Sequence, residues 1–118
     1  MKNNILLEKS YKFSIRIIRL YQHISKLKKE YVLSKQILRS GTSIGANIEE
    51  TIGAQSIKDF RARLSIAYRE ARETNYWLRL LRDSGYITDK QAESVLKDCE
   101  ELLKIIGKIQ KTLKIRNS

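Results

Sequence analysis

Apolar and charged positions alternate along this chain at intervals of three and four residues almost from end to end. Between about Ile5 and Lys28, the residues Phe13, Ile17, Leu20, Ile24 and Leu27 recur in steps of four and three, the seam of a helix packed on one side. Tyr11, Ile15, Ile18 and Tyr21 extend the apolar surface around more than half of the cylinder. Lys12, Arg16, Arg19, His23 and Lys26 are confined to the arc that is left. A helix with so wide an apolar surface has a second face to bury, and in a small bundle that face is expected to meet another subunit. After the polar turn Lys28-Lys29-Glu30, a second helix is expected from about Tyr31 to Ile52, with Leu33, Ile37, Ile44 and Ile48 on one azimuth.

The segment from Ser40 to Gly45 departs from its surroundings in composition but not in period. Taken alone it resembles a glycine-rich loop that wraps a phosphate. It lacks the Gly-Lys-Ser/Thr ending of such a loop and follows no strand, and the helical spacing runs through it unbroken. Gly41 and Gly45 each cost roughly 1 kcal/mol against alanine inside a helix. Being four residues apart, they are expected to open one groove to a neighbouring backbone. Gly53 then supplies a left-handed stop.

Ser56-Ile-Lys-Asp59 matches a capping box, with Asp59 in place of the commoner Glu. It opens a third helix carrying Phe60, Leu64, Ala67, Ala71, Thr74, Leu78 and Leu81, ended by Ser84-Gly85. A second box, Thr88 with Gln91, opens a fourth helix whose seam is Ala92, Val95, Cys99, Leu102, Ile106, Ile109 and Leu113. Four helices joined by short turns predict an all-α fold, an antiparallel up-down-up-down four-helix bundle forming one domain over residues 1–118.

Composition agrees with that reading. The 118 residues contain no proline, five glycines, 42% hydrophobic and 31% charged residues, which favours helix and excludes disorder. No stretch approaches the roughly 20 apolar residues of a membrane span, and the N-terminal apolar run is too short for a signal peptide. No membrane role is expected, and the expected location is the cytoplasm. The single cysteine, Cys99, falls on an apolar helical face and reads as a buried thiol.

Charge changes the picture more. The net charge is +11. Residues 1–39 hold ten Lys/Arg against Glu8 and Glu30, whereas residues 104–118 add five bases and no acid. In an up-down-up-down bundle the start of the first helix and the end of the fourth share one end, so these bases are expected to combine into a basic edge. The candidate nucleic-acid-binding residues are Lys12, Arg16, Arg19 and Lys26 from the first helix, and Lys104, Lys108, Lys111 and Lys114 from the fourth. An excess of this kind favours an anionic partner, RNA or DNA; a solvated, soluble surface is the bland alternative.

Catalytic chemistry has little to stand on. His23 is the one histidine, so neither paired Glu-x-x-His di-iron ligands nor a Cys/His zinc set can be built within one chain. The expectation is no enzyme, no metal and no cofactor. Beside the seams, Asn47 and Glu50 on the second helix and Arg63 and Glu70 on the third are expected to form a satisfied polar network that fixes helix or subunit register, since an unpaired buried charge is costly. Trp77 is expected to pack at a seam edge or an interface.

Several blocks also carry a family resemblance: Gly45-Ala-Asn-Ile-Glu-Glu50, Gly53-Ala-Gln-Ser56, Asp59-Phe60, and Ala67-Tyr-Arg-Glu-Ala-Arg-Glu-Thr-Asn-Tyr-Trp-Leu78. Nearly the whole chain resembles the small bacterial four-helix bundle proteins known as 23S rRNA-intervening-sequence proteins, although Ile48 stands where an aromatic is common. The resemblance implies an antiparallel four-helix bundle assembled as a homopentamer, with no enzymatic activity and no catalytic residues. It also extends in fold to basic pentameric accessory proteins that work with a reverse transcriptase and nucleic acid. Two functions from different classes follow: an oligomeric module that binds nucleic acid through its basic surface, or a scaffold that binds a protein partner.

Overall fold

The computed structural model describes the backbone of residues 2–116 and the side chains of residues 5–114. Four helices follow one another: α1 (Lys2–Leu27), α2 (Leu33–Ile52), α3 (Ile57–Asp83) and α4 (Asp89–Arg116). Each packs against its sequence neighbours, and α1 meets α4 to close the bundle, though more sparsely than any other adjacent pair. The seams predicted by periodicity are the core. Phe13, Ile17 and Ile24 of α1 meet Ile37, Ile44 and Ile48 of α2, Leu64, Leu78 and Leu81 of α3, and Leu102 and Ile106 of α4, all nearly inaccessible to solvent.

The turns are written in local chemistry. Ser56 is extended and accepts a hydrogen bond from the Asp59 N–H at 3.0 Å, the forward half of its predicted box; the Asp59 carboxylate reaches back one residue further and accepts from the Gln55 N–H at 3.3 Å. Thr88 and Gln91 exchange reciprocal bonds at 2.9 and 3.1 Å ahead of α4. Gly85, at φ 87°, closes α3: its N–H reaches the Arg82 carbonyl and the Tyr86 N–H reaches Leu81, the two bonds of a Schellman ending.

Three expectations are corrected. Gly53 has φ −91°, so α2 does not end through a left-handed glycine; the Ala54 N–H bonds the Thr51 carbonyl in an ordinary turn. Leu27 is 70% exposed, because α1 ends there and nothing from α2, which begins only at Leu33, covers it. The start of α2 lies two residues later than Tyr31 because the intervening turn is held by Glu30. That carboxylate accepts from the backbone N–H groups of Val32, Leu33 and Ser34 at 3.2, 3.1 and 2.8 Å. Burial pushes its pKa up, but the N–H bonds from Leu33, Ser34 and Val32 outweigh this and hold it below the ordinary carboxylate value. Lys29, at φ 53°, occupies the left-handed position here, which lets the Glu30 N–H turn back to the Ile24 carbonyl at 3.3 Å.

The Ser40–Gly45 segment is uninterrupted helix. A Cβ built on Gly41 would stand 2.7 Å from both γ-carbons of Ile17, and one on Gly45 would stand 3.2 Å from the Ser10 carbonyl oxygen. The two glycines therefore let α1 and α2 approach until the backbone of one meets the side chains and backbone of the other.

Candidate nucleic-acid interface

Topology places the N-terminus of α1 and the C-terminus of α4 at the same end, as antiparallel pairing requires. The basic residues do not gather there into a single edge. Two ion pairs between α1 and α4 mark the register: Lys9 Nζ to Glu101 at 3.2 Å, and Arg16 to Asp98 at 2.6 Å. Along this pairing Arg16, Arg19, His23 and Lys26 run toward the opposite end, where α4 begins. Lys104, Lys108, Lys111 and Lys114 occupy the C-terminal half of α4, all exposed and without ion pairs among the described residues; the Arg116 side chain lies outside the described residues. The division follows from helix length: α1 and α4 each span about 40 Å, too long for residues near opposite ends to share a surface.

Within the α1 group the side chains are in different states. Lys12 pairs with Glu8 at 2.8 Å one turn earlier, and that hydrogen bond, reinforced by the ammonium's charge, lowers the Glu8 pKa. Arg16 is held by Asp98 and by Ser94, donating to the Ser94 hydroxyl at 2.9 Å. Arg19 and Lys26 are exposed and make no ion pair among the described residues.

The loose packing of α1 on α4 leaves an open groove of about 680 Å³. Arg16, Arg19 and His23 line it from α1 and Lys90 from α4, over Leu20 and Val95. Thr88, Gln91 and Ser94 complete its wall, and no carboxylate lines it. Lys90 and His23 were not among the sequence candidates. The signal for Lys90 is topological: the start of α4 must face the end of α1, where Arg19 and His23 stand. On the other flank of α4 a second groove, of about 630 Å³, has the reverse character: Asp83, Asp89, Glu93 and Glu100 against Arg82 and Lys97. There the Arg82 hydrogen bond, ahead of opposing desolvation, lowers the Asp83 pKa. The first half of α4 thus separates a basic groove from an acidic one.

The expected polar network does not assemble from Asn47, Glu50, Arg63 and Glu70 within the chain. The Asn47 amide donates to the Ser43 carbonyl at 2.9 Å and to its hydroxyl at 3.1 Å. Glu50 is exposed, and Arg63 approaches Asp59 at 3.9 Å. Glu70 instead takes Arg39, at 3.0 Å, and the same guanidinium binds Glu73, which also accepts from Trp77 Nε1 at 3.0 Å. Register is the reason. The Ser40 and Thr74 hydroxyls lie 2.9 Å apart in the buried α2–α3 seam, which brings Arg39 level with Glu70 and Glu73, whereas Arg63 stands about 10 Å from Glu70 along its own helix. Arg39 was legible as a partner, four residues before Ser43 on the same side of α2. Trp77 packs against the core and meets Tyr76 edge-on at 5.2 Å. Cys99 is buried against the Ala71 carbonyl at 3.3 Å, and burial pushes its pKa up to about 12, which makes it a poor nucleophile.

Among the described residues no group of three or more His, Cys, Asp or Glu is arranged to hold a metal ion. Among the same residues no helix is long and apolar enough to cross a membrane.

Residues 2–108 match the family model of the 23S rRNA-intervening sequence protein. The chain belongs to this family. A crystal structure of a protein of unknown function from the S23 ribosomal protein family of Bacteroides thetaiotaomicron superposes with a TM-score of 0.92 at 51% identity, over 94% of this chain and 99% of the other. No functionally curated protein is significantly similar. The four-helix architecture is therefore that of the family, and neither description assigns a catalytic activity.

Proposed function

We propose that the protein is a non-enzymatic, oligomeric helical module that binds RNA or another nucleic acid through its basic surface. The observation that carries this reading is the run of exposed lysines, Lys104, Lys108, Lys111 and Lys114, left without acidic partners among the described residues on a chain of net charge +11. Structural ion pairs account for Lys9, Lys12, Arg16 and Arg39, but not for these. Binding of single-stranded and duplex RNA by the purified protein, titrated against salt, tests it. Affinity falls steeply as salt rises, because each neutralised phosphate releases a counterion. A flat salt response, or no binding at low salt, removes the reading.

Self-association rests on a separate observation. Tyr11 is 65% and Ile18 40% exposed on the outer face of α1, so the second apolar face expected from the sequence remains uncovered in the single chain. A second copy is the proposed occupant, in the homopentamer that the family resemblance implies. Light scattering coupled to size exclusion reads this directly: five chain masses are expected, and a monomer at micromolar concentration ends the assembly proposal. The same exposed face favours a second reading, a scaffold for another protein, whose signature is a specific partner retained after nuclease treatment.

A further inference from the structure

We infer that the α1–α4 groove is the track for a nucleic-acid backbone, and that it reads phosphate and not base identity. This rests on the nucleic-acid reading above and gives it a place and a mode. The groove is open to solvent, lined by Arg16, Arg19, His23 and Lys90, and free of carboxylates in its wall. The basic side chains differ in how far they are committed. Arg16 is fixed by Asp98 and Ser94, so it is a positioned guanidinium with its net charge offset, whereas Arg19 and Lys90 make no ion pair among the described residues. Arg19 and Lys90 approach from opposite walls, the arrangement that clamps a polyanion passing between them.

The polar wall agrees with phosphate. Ser94 Oγ accepts from Arg16, which leaves its hydroxyl hydrogen to donate to an oxygen in the groove. Thr88 and Gln91 are occupied by their mutual capping bonds, so the start of α4 does not itself offer the site; the side chains do. Among the described residues no Phe, Tyr or Trp lines the groove, and its one ring is the His23 imidazole. Tyr76 and Trp77 lie on α3, with Arg79 5.9 Å from the Tyr76 ring centre. With a single imidazole and no row of rings, successive bases have no platform to stack on, and with Leu20 and Val95 buried in its floor the groove lacks the exposed apolar centre of a protein interface. The charge pattern also disfavours the groove on the other flank of α4, where Asp83, Asp89, Glu93 and Glu100 repel a polyanion.

The test is fluorescence anisotropy with 20-nucleotide oligouridylate and oligoadenylate RNA across a salt series, using the full chain. Wild type is expected to bind the two within about threefold of each other, as backbone recognition requires. Arg19→Gln with Lys90→Gln is expected to weaken binding about tenfold at low salt and to lessen the salt slope by about 1.4, roughly 0.7 per lost phosphate contact on a single strand. Both side chains are exposed, and an unchanged thermal melt shows that the variant is folded. If the double variant binds like wild type while Lys104→Gln with Lys108→Gln does not, the groove is wrong and the wider nucleic-acid reading survives. If wild type binds neither RNA at low salt, that wider reading fails first. A more than tenfold preference for one base overturns the backbone mode. Equal competition by polyglutamate overturns nucleic acid as the occupant.

Discussion

Helix α1 has two flanks, and they are held by opposite means. Against α2, Gly41 and Gly45 remove side chains altogether, and Ile17 and the Ser10 carbonyl fill the space that their Cβ atoms would need. Against α4, outside the shared apolar core, the contacts are polar side chains, Lys9 to Glu101 and Arg16 to Asp98, bridging a seam that stays open as a groove. The first flank is specified by steric exclusion, which tolerates little change. The second is specified by exposed ion pairs, which contribute little individually. A surface free to change its chemistry without unfolding the bundle lies on the second flank, and the unpaired cations of α1 and of the start of α4 stand there.

The largest expected effect is at Gly41. Alanine there gains roughly 1 kcal/mol of helix propensity but forces a Cβ into Ile17, whose own branched carbons are fully buried and cannot retreat. A net loss of about 1–2 kcal/mol in urea unfolding is expected. A variant as stable as wild type would show that the α1–α2 flank yields as easily as the other.

Second is Glu30, which extends the tight flank into the turn. Replacing it with alanine removes the acceptor for three N–H groups at the start of α2 and is expected to cost about 1 kcal/mol at neutral pH. The folded-state pKa is depressed, so this contribution is present above the ordinary carboxylate pKa and is lost as pH falls through the lower folded value. Melts of wild type and Glu30→Ala should therefore converge in acid. A gap that stays constant as the carboxylate protonates would assign the effect to packing.

Glu30 also marks where sequence reading stops. Helix seams, both capping boxes and the glycine contact were legible because each depends on spacing within one segment. Glu30 was not, since a carboxylate two residues ahead of the N-cap follows no common capping pattern, and Gly53 was misread because glycine permits a left-handed turn without requiring one. The Arg39 cluster and the basic groove needed the lateral register of two helices, which a single seam does not carry. Asn47 satisfies itself on its own helix through Ser43, an outcome that azimuth alone cannot separate from a bond across the seam.

Gly107 provides a control with the opposite sign. It lies inside α4, and an added Cβ would meet Tyr68 at 3.6 Å, an ordinary contact. Gly107→Ala is expected to stabilise the protein by up to about 1 kcal/mol through helix propensity. Loss of stability there would mean that glycines in this bundle matter for some reason other than the close approach of α1.

The smallest effect is the one that tests the open flank. A double-mutant cycle over Arg16→Ala and Asp98→Ala, read by urea unfolding, should return a coupling of about 0.2–1 kcal/mol, the range of exposed pairs. Both side chains are partly solvated, at 38% and 45% exposure, so each can be rehydrated when its partner is removed, and neither deletion strands a buried charge. A coupling above about 2 kcal/mol would place the α1–α4 seam in the same energetic class as the glycine seam. The groove would then be a by-product of a rigid clamp, and the contrast between the two flanks of α1 would no longer point to the side on which a ligand binds.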